Sequence, residues 1–186
     1  RACLSVVACS GANAPPGSDR LIVLPYFMGD RAPIWNENAR GTIFGLTLYH
    51  TRGHLFRAFM EAVAYSLRTC IEHSRGTGIQ LNPELVVVGG VTKSELWKSI
   101  FADVTGFPVS CVHGGGEAAF GDAFLAALGV GAASSPDEIK SWITFDDPIP
   151  PNDAHTALYD EYYRRFAEVY RALEPEMDKL ATLPEI

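Results

Sequence analysis

Two adjacent glycines, Gly89 and Gly90, are the residues whose type and position best suit chemistry. They follow the apolar residues 85–88, which predict a buried strand. Thr92 and Glu95 then stand in the spacing of a capping box, which predicts that a helix begins there. The two glycines leave the backbone accessible to a ligand between the strand and the helix. The free backbone amides in the first turn of the helix favour anionic groups at the same place. The pattern suits a nucleotide, but a tight turn that needs glycine explains it equally well.

Other chemical motifs fail on spacing. The pair Lys93-Ser94 lacks the glycine that precedes the lysine of a phosphate-binding P-loop. The glycines at 114–116, with Gly121, only loosely resemble a dinucleotide fingerprint, and no acidic residue follows about 20 positions later. Close helix packing explains them better. The five histidines show no metal-ligand spacing and lie near no nucleophile motif, so metal and triad catalysis are not expected.

Two polar positions each allow two interpretations. Asp30 and Arg31 follow a predicted strand, where α/β proteins bind ligands, and they fit a loop-fixing salt bridge equally well. Glu61 lies within an apolar helical segment, either as a buried hydrogen-bonding group or at the exposed edge of the helix. The sequence does not decide between these alternatives.

Composition excludes several classes of protein. The 186 residues carry 15 Lys and Arg against 22 Asp and Glu, and the net charge of −7 argues against binding to nucleic acid or a membrane surface. Hydrophobic residues make up 47% of the chain, as in a folded protein, and no apolar run reaches the roughly 20 residues of a membrane span. Reduced, mostly buried thiols and a cytoplasmic location are predicted from the cysteines, which lack C-x-x-C spacing: Cys3, Cys9, Cys70 and Cys111.

The segments around the glycine pair alternate between strand and helix. Strands are predicted over residues 21–27, 42–47, 85–88 and 108–112, the first of them as a buried central strand. Helices are predicted over residues 54–73, from Thr92 to Gly106, and over 117–128 and 155–173. Short connections predict an α/β domain with parallel strands and right-handed crossovers. Residues 1–18 are expected to be the end of an upstream helix and a loop, and residues 19–186 one domain.

The last predicted helix carries an apolar and aromatic stripe. Its members are Leu158, Tyr162, Phe166, Val169, Tyr170 and Leu173. Because an acidic chain has no basic groove for a nucleic-acid backbone, the stripe is expected to pack in the core and not to stack on bases.

Four blocks of sequence, in order, resemble the C-terminal domain of the FGGY carbohydrate kinases, the family of xylulokinase, gluconate kinase and glycerol kinase. The blocks cover residues 24–47, 54–68, 86–109 and 116–131. The resemblance implies an α/β, ribonuclease-H-like domain of the actin and hexokinase type. It would be the C-terminal half of a two-domain sugar kinase, lacking its first strands. Gly89, Gly90 and Ser94 would then line the adenine and ribose side of a pocket for ATP with Mg²⁺.

The resemblance also implies the partners. In this family the catalytic aspartate and most sugar contacts belong to the N-terminal domain, so no catalytic residue is expected in this chain, and the chain alone should be nearly inactive. Its partners would be the missing N-terminal kinase domain and a small sugar, sugar acid or polyol. Ser94 looks closest to the xylulokinase-like branch, since glycerol kinases have asparagine at that position.

Two hypotheses from other classes stay open. Missing upstream strands would leave an exposed sheet edge, so the chain could be a non-catalytic binding or assembly module, including a homo-oligomer. Another hypothesis is a Rossmann-like reductase, which a titration with NAD(H) followed by fluorescence would test.

Overall fold

The computed structural model describes residues 11–113 and 118–184 of the chain. Its strands are β1 (Ile22–Leu24), β2 (Thr42–Phe44), β3 (Leu85–Val87), β4 (Val109–His113) and β5 (Thr144–Phe145). Its α-helices are α1 (Arg52–Gly76), α2 (Glu95–Thr105), α3 (Ala118–Gly129) and α4 (Asp153–Ala181). Short 3₁₀ helices occupy Ser18–Arg20, Gly89–Lys93 and Pro136–Ser141.

One sheet contains β3, β4 and β5, in that order. β3 runs parallel to β4, with Val87 opposite Cys111, whereas β5 pairs antiparallel with the other edge of β4. The parallel pair joined through α2 confirms the predicted order of strand, helix and strand. Because parallel strands end at the same edge of a sheet, the turn after β3 lies beside the end of β4.

The first strand, β1, is buried as predicted, but it is not a central strand of that sheet. Within the described residues it pairs only with β2, antiparallel, with Val23 opposite Ile43. Leu21 and Val23 pack against Ala58 and Ala62 of α1, while the alternate residues of β1 enter the main core. Helices therefore bury this strand from both faces, without a strand on each edge.

The main core lies between α1, α2 and α4. Phe166 and Tyr170 of α4 are buried in it, and Tyr162, Val169 and Leu173 pack against it partly buried, which confirms the predicted core stripe at these five positions. Leu158 is exposed, and its neighbour Tyr159 is buried instead. The helix also continues beyond residue 173 as far as Ala181, and Met177 in this extension is buried in the same core.

Helix α3 is largely exposed. Phe124 is its buried residue, and the Phe124 ring meets the Trp142 ring edge-on at 5.1 Å between centroids. Several of its small residues are exposed: Ala118, Ala119, Ala123 and Ala126. The glycines at 114–116 lie outside the described residues.

Both cysteines in the described ranges are free thiols, with Cys70 partly buried and Cys111 buried. Cys3 and Cys9 lie outside the described residues, as does most of the segment expected to end an upstream helix. In the same ranges no helix combines the length and the apolar character that crossing a membrane requires.

Candidate functional site

The turn after β3 is a 3₁₀ helix, Gly89–Lys93, that leads into α2. Val88 is extended, and Gly89 follows with a φ of +78°, in the left-handed region that favours glycine. The Thr92 hydroxyl donates a hydrogen bond to the Gly89 carbonyl oxygen at 2.7 Å. This bond closes the turn, so the chain passes from strand to helix through the five residues of the 3₁₀ segment.

Ser94, and not Thr92, caps α2. The Ser94 hydroxyl oxygen accepts a hydrogen bond from the Trp97 N–H at 3.3 Å, and the Ser94 carbonyl accepts from the Lys98 N–H at 3.0 Å. The predicted capping box of Thr92 and Glu95 is therefore wrong, because the 3₁₀ turn engages the Thr92 hydroxyl and delays the helix start. Ser94, which the resemblance places at a nucleotide, thus also fixes the turn to the helix.

The backbone requires glycine at position 89 but not at position 90. A Cβ atom at either position would meet no heavy atom of the described residues within 4 Å. Gly89 needs glycine for its positive φ, whereas Gly90 has no such φ. Among the described residues, neither backbone strain nor packing therefore explains glycine at position 90. The structure brings Gly89, Gly90 and Ser94 together in one turn with an accessible backbone.

The electrostatics of the start of α2 favour a polar or anionic ligand. The first amides of a helix have no acceptor within the helix, and the helix dipole places partial positive charge there. Lys98 adds no net positive charge there, because its Nζ lies 2.5 Å from a carboxylate oxygen of Glu95. The hydrogen bond to Glu95 raises the pKa of Lys98, so this ammonium stays charged.

The surroundings of the turn are open and partly apolar. Val88 is 50% exposed directly before Gly89. Cys111, on the neighbouring strand, is buried, and burial raises the pKa of its thiol, which disfavours the reactive thiolate. In the described ranges no three His, Cys, Asp or Glu side chains are grouped to hold a metal ion. The arrangement suits the binding and positioning of a ligand.

Asp30 fixes its own loop. Its carboxylate accepts a hydrogen bond from the Ile34 N–H at 3.0 Å, and its backbone exchanges two hydrogen bonds with Asn36. Arg31 is exposed. These hydrogen bonds therefore hold the loop in place, whereas neither Asp30 nor Arg31 forms a salt bridge with another described residue.

Glu61 is a buried hydrogen-bonding group, which decides between its two interpretations. It is 1% exposed. Its carboxylate accepts hydrogen bonds from the Gly17 N–H at 2.9 Å, the Ser18 hydroxyl at 2.9 Å and the Tyr159 hydroxyl at 2.7 Å, and it pairs with Arg57 at 2.9 Å. Burial and the Glu61 charge raise the pKa of Tyr159. This network ties the segment before β1 to α1 and α4.

Sequence reasoning missed the partners of Glu61. The signal in the sequence is that Arg57 and Glu61 stand four residues apart, the spacing of one helix face. Nothing in the local sequence points to Tyr159, which lies 98 positions further along the chain.

Residues 6–130 of the chain match the family model for the C-terminal domain of the FGGY family of carbohydrate kinases. The chain belongs to this family. The match spans the turn at Gly89 and helices α1 and α2, so it includes the whole candidate site. It confirms the resemblance carried by the four sequence blocks.

Individual FGGY kinases are similar over nearly the whole chain. The xylulose kinase of Staphylococcus epidermidis is 28% identical over 173 residues, 92% of this chain and 35% of its own length. The gluconokinase of Bacillus subtilis is 31% identical over 170 residues, 91% of this chain and 31% of its own length. The structure of a ligand-bound xylulose kinase from Lactobacillus acidophilus superposes with a TM-score of 0.80 at 28% identity, over 95% of this chain and 36% of its own. The chain thus spans about a third of the length of these relatives.

Proposed function

We propose that this chain is the nucleotide-binding domain of an ATP-dependent carbohydrate kinase with a ribonuclease-H-like, actin-type fold. Family membership supports the kinase class. The observation that carries the nucleotide assignment is Gly90, a glycine with ordinary φ and open space around it, next to the start of α2. A nucleoside lying over Gly89 and Gly90 and against Ser94 accounts for a residue that strain and packing leave unexplained.

The reaction would be attack of a sugar hydroxyl on the γ-phosphate of ATP. It requires a base for the hydroxyl, charge stabilisation around the phosphate, and alignment of the two reactants. We assign alignment to this chain: the turn and the helix start hold the nucleoside, and no residue here is assigned as the base. The described residues include no group of ligands for a metal ion, and we expect Mg²⁺ to arrive on the phosphates of ATP.

The substrate and the partner follow from the relatives as proposals. A xylulose-like sugar is favoured, because the xylulose kinases of Staphylococcus and Lactobacillus match almost the whole chain and Ser94 fits that branch. The gluconokinase match keeps sugar acids in the same class of candidates. The base and the sugar contacts are assigned to an N-terminal kinase domain as partner, and the cytoplasmic location stays a prediction.

A non-catalytic assembly module is the second candidate function. It is favoured by one observation: β3 lies at the end of its sheet in the described residues, with an exposed valine on it. Nucleotide binding separates the two candidates, because an assembly module need not respond to ATP.

Calorimetric titration of ATP with Mg²⁺ into the chain and two variants tests the proposal. Gly90→Trp places a large ring over the turn. Gly76→Trp is the matched control, because Gly76 also has an ordinary φ and a Cβ atom there would meet no described heavy atom within 4 Å. We expect weak binding by the natural chain, the same binding by Gly76→Trp, and loss of binding in Gly90→Trp with an unchanged circular dichroism spectrum. Absence of binding to the natural chain, or equal binding by both variants, would contradict the proposal.

A further inference from the structure

The 3₁₀ turn at Gly89–Lys93 is closed by a side-chain hydrogen bond, from the Thr92 hydroxyl to the Gly89 carbonyl oxygen at 2.7 Å. Backbone hydrogen bonds in 3₁₀ helices have poorer geometry than those in α-helices, so a side-chain bond adds needed order to so short a turn. The Val91 side chain packs partly buried against the main core, whereas Gly90 is exposed. The turn is therefore anchored through its valine and presents its second glycine to solvent.

The same stretch of sequence encodes a competing start for α2. Thr92 and Glu95 have the spacing of a capping box, in which the Thr92 hydroxyl oxygen accepts from the Glu95 N–H and the helix starts two residues earlier. In the structure both side chains are engaged elsewhere, Thr92 with Gly89 and Glu95 with the Lys98 ammonium at 2.5 Å. Ser94 is extended, with φ −134° and ψ 109°, and caps the helix in place of Thr92.

We infer that Thr92 is a positioning residue for the nucleotide. Donation of its hydroxyl proton to the Gly89 carbonyl selects the 3₁₀ turn over the earlier helix start. This selection keeps Gly90 exposed and Ser94 at the start of α2, which is the arrangement over which we place the nucleoside. With the earlier start, Ser94 would take helical dihedral angles in the first turn, and its hydroxyl would no longer cap the helix.

Thr92 acts through the turn and is not assigned a contact with the ligand. Loss of one hydrogen bond of ordinary strength changes the ratio of two conformations by roughly three- to tenfold. Because only the conformation with the 3₁₀ turn is competent to bind, the apparent Kd rises as the population of that turn falls. The inference rests on the proposed function, since the ligand is the nucleotide assigned to this turn.

Calorimetric titration of ATP with Mg²⁺ into the natural chain, Thr92→Val and Thr92→Ser tests this inference. Valine keeps the shape of threonine and removes the donor, whereas serine keeps the donor. We expect the Kd for ATP to rise by roughly three- to tenfold in Thr92→Val and by less than about twofold in Thr92→Ser. Thr77→Val is the matched control, because the Thr77 hydroxyl donates at 2.8 Å to the carbonyl of Ser74, also three residues earlier, at the end of α1. Its Kd should equal that of the natural chain.

Thr92→Asp tests the choice of helix start without any nucleotide. An ionised aspartate accepts hydrogen bonds but cannot donate to the Gly89 carbonyl, and it is a favoured N-cap, so it should select the earlier start. The ¹³Cα chemical shift of Ser94, measured by NMR, should then move from extended toward helical values, and it should stay in place in Thr92→Ser.

The outcomes separate this inference from the proposed function. A natural Kd for ATP in Thr92→Val, or an unchanged Ser94 shift in Thr92→Asp, would overturn the positioning role and leave the nucleotide assignment standing. Absence of ATP binding by the natural chain would contradict the proposed function and this inference with it.

Discussion

Two short 3₁₀ turns in this chain use left-handed backbone in opposite settings. The enclosed turn, Ser18–Arg20 with Gly17 before it, buries Gly17 and Ser18 against side chains from α1 and α4 and leaves Asp19 and Arg20 exposed. The turn at Gly89–Lys93 has open space over both of its glycines. The first is strained and surrounded, whereas the second is exposed and next to a helix start. The comparison separates a turn that serves the fold from a turn that can serve a ligand.

The enclosed turn carries unusual strain. Ser18, Asp19 and Arg20 have φ values of 49°, 52° and 73°, in a region that costs side-chain-bearing residues about 1–3 kcal/mol each. Glu61 accepts from Gly17 and Ser18, and the His54 ring contacts the Asp19 carboxylate at 2.9 Å. These contacts, with the hydrogen bond from the Arg20 N–H to the Tyr162 hydroxyl, hold the strained residues in place.

The largest effect is expected from Glu61→Ala. Removing the carboxylate leaves the Arg57 charge buried and releases the enclosed turn, so the free energy of unfolding should fall by about 3–5 kcal/mol in urea denaturation. Glu72→Ala, an exposed site on the same helix, should change it by less than about 0.5 kcal/mol. A small loss in Glu61→Ala would mean that the network does not hold the turn.

Gly17→Ala should come next. Its Cβ would clash with the Tyr162 ring, and its φ is +79°. Gly78→Ala separates the two causes, because Gly78 has a φ of +80° and a Cβ there would meet no described heavy atom within 4 Å. We expect a loss of about 1–2 kcal/mol for Gly78→Ala from backbone strain and a larger loss for Gly17→Ala, both measured by urea denaturation. Equal losses would show that the Tyr162 ring moves aside for the added Cβ atom without cost.

Ser94→Ala should cost about 1 kcal/mol, because it removes the side-chain acceptor at the start of α2. Ser94→Gly should cost only a few tenths, since glycine is tolerated at this position of a helix. Thermal unfolding of both variants measures the difference. A larger loss of stability in Thr92→Ala than in Ser94→Ala would show that Thr92, and not Ser94, caps α2.

Gly90→Ala should have the smallest effect on stability and the most informative effect on binding. With ordinary φ and open space, alanine should leave the free energy of unfolding unchanged or raise it by up to about 1 kcal/mol. ATP affinity, measured by calorimetry, should fall, because the methyl group stands where the nucleoside approaches the backbone. Reduced stability with unchanged affinity would make position 90 structural.

The sequence predicted the parts of this fold that depend on local pattern. The helix at 54–73, the strand–helix–strand order around Gly89 and the end of α2 at Gly106 all follow from spacing and residue type. The strand at 21–27 is shorter and lies outside the parallel sheet, because partner strands are chosen by tertiary packing.

The site itself was only partly predictable. The glycine pair and Ser94 were identifiable from the sequence, but the 3₁₀ turn that moves the cap from Thr92 to Ser94 depends on backbone geometry. The distinction between Gly89 and Gly90 also required the three-dimensional structure, since the two residues are identical in type and differ in φ. Tyr159 is paired with Glu61 across 98 positions of the chain, which no local pattern encodes.

The most direct test of the contrast between the two turns is NMR of the ¹⁵N-labelled chain, titrated with ATP and Mg²⁺. Amide signals of Gly89, Gly90 and Ser94 should shift with ATP concentration, and those of Gly17–Arg20 should stay in place. Shifts confined to the enclosed turn, or no shifts at 88–96 at saturating ATP, would contradict the assignment of the open turn as the nucleotide site.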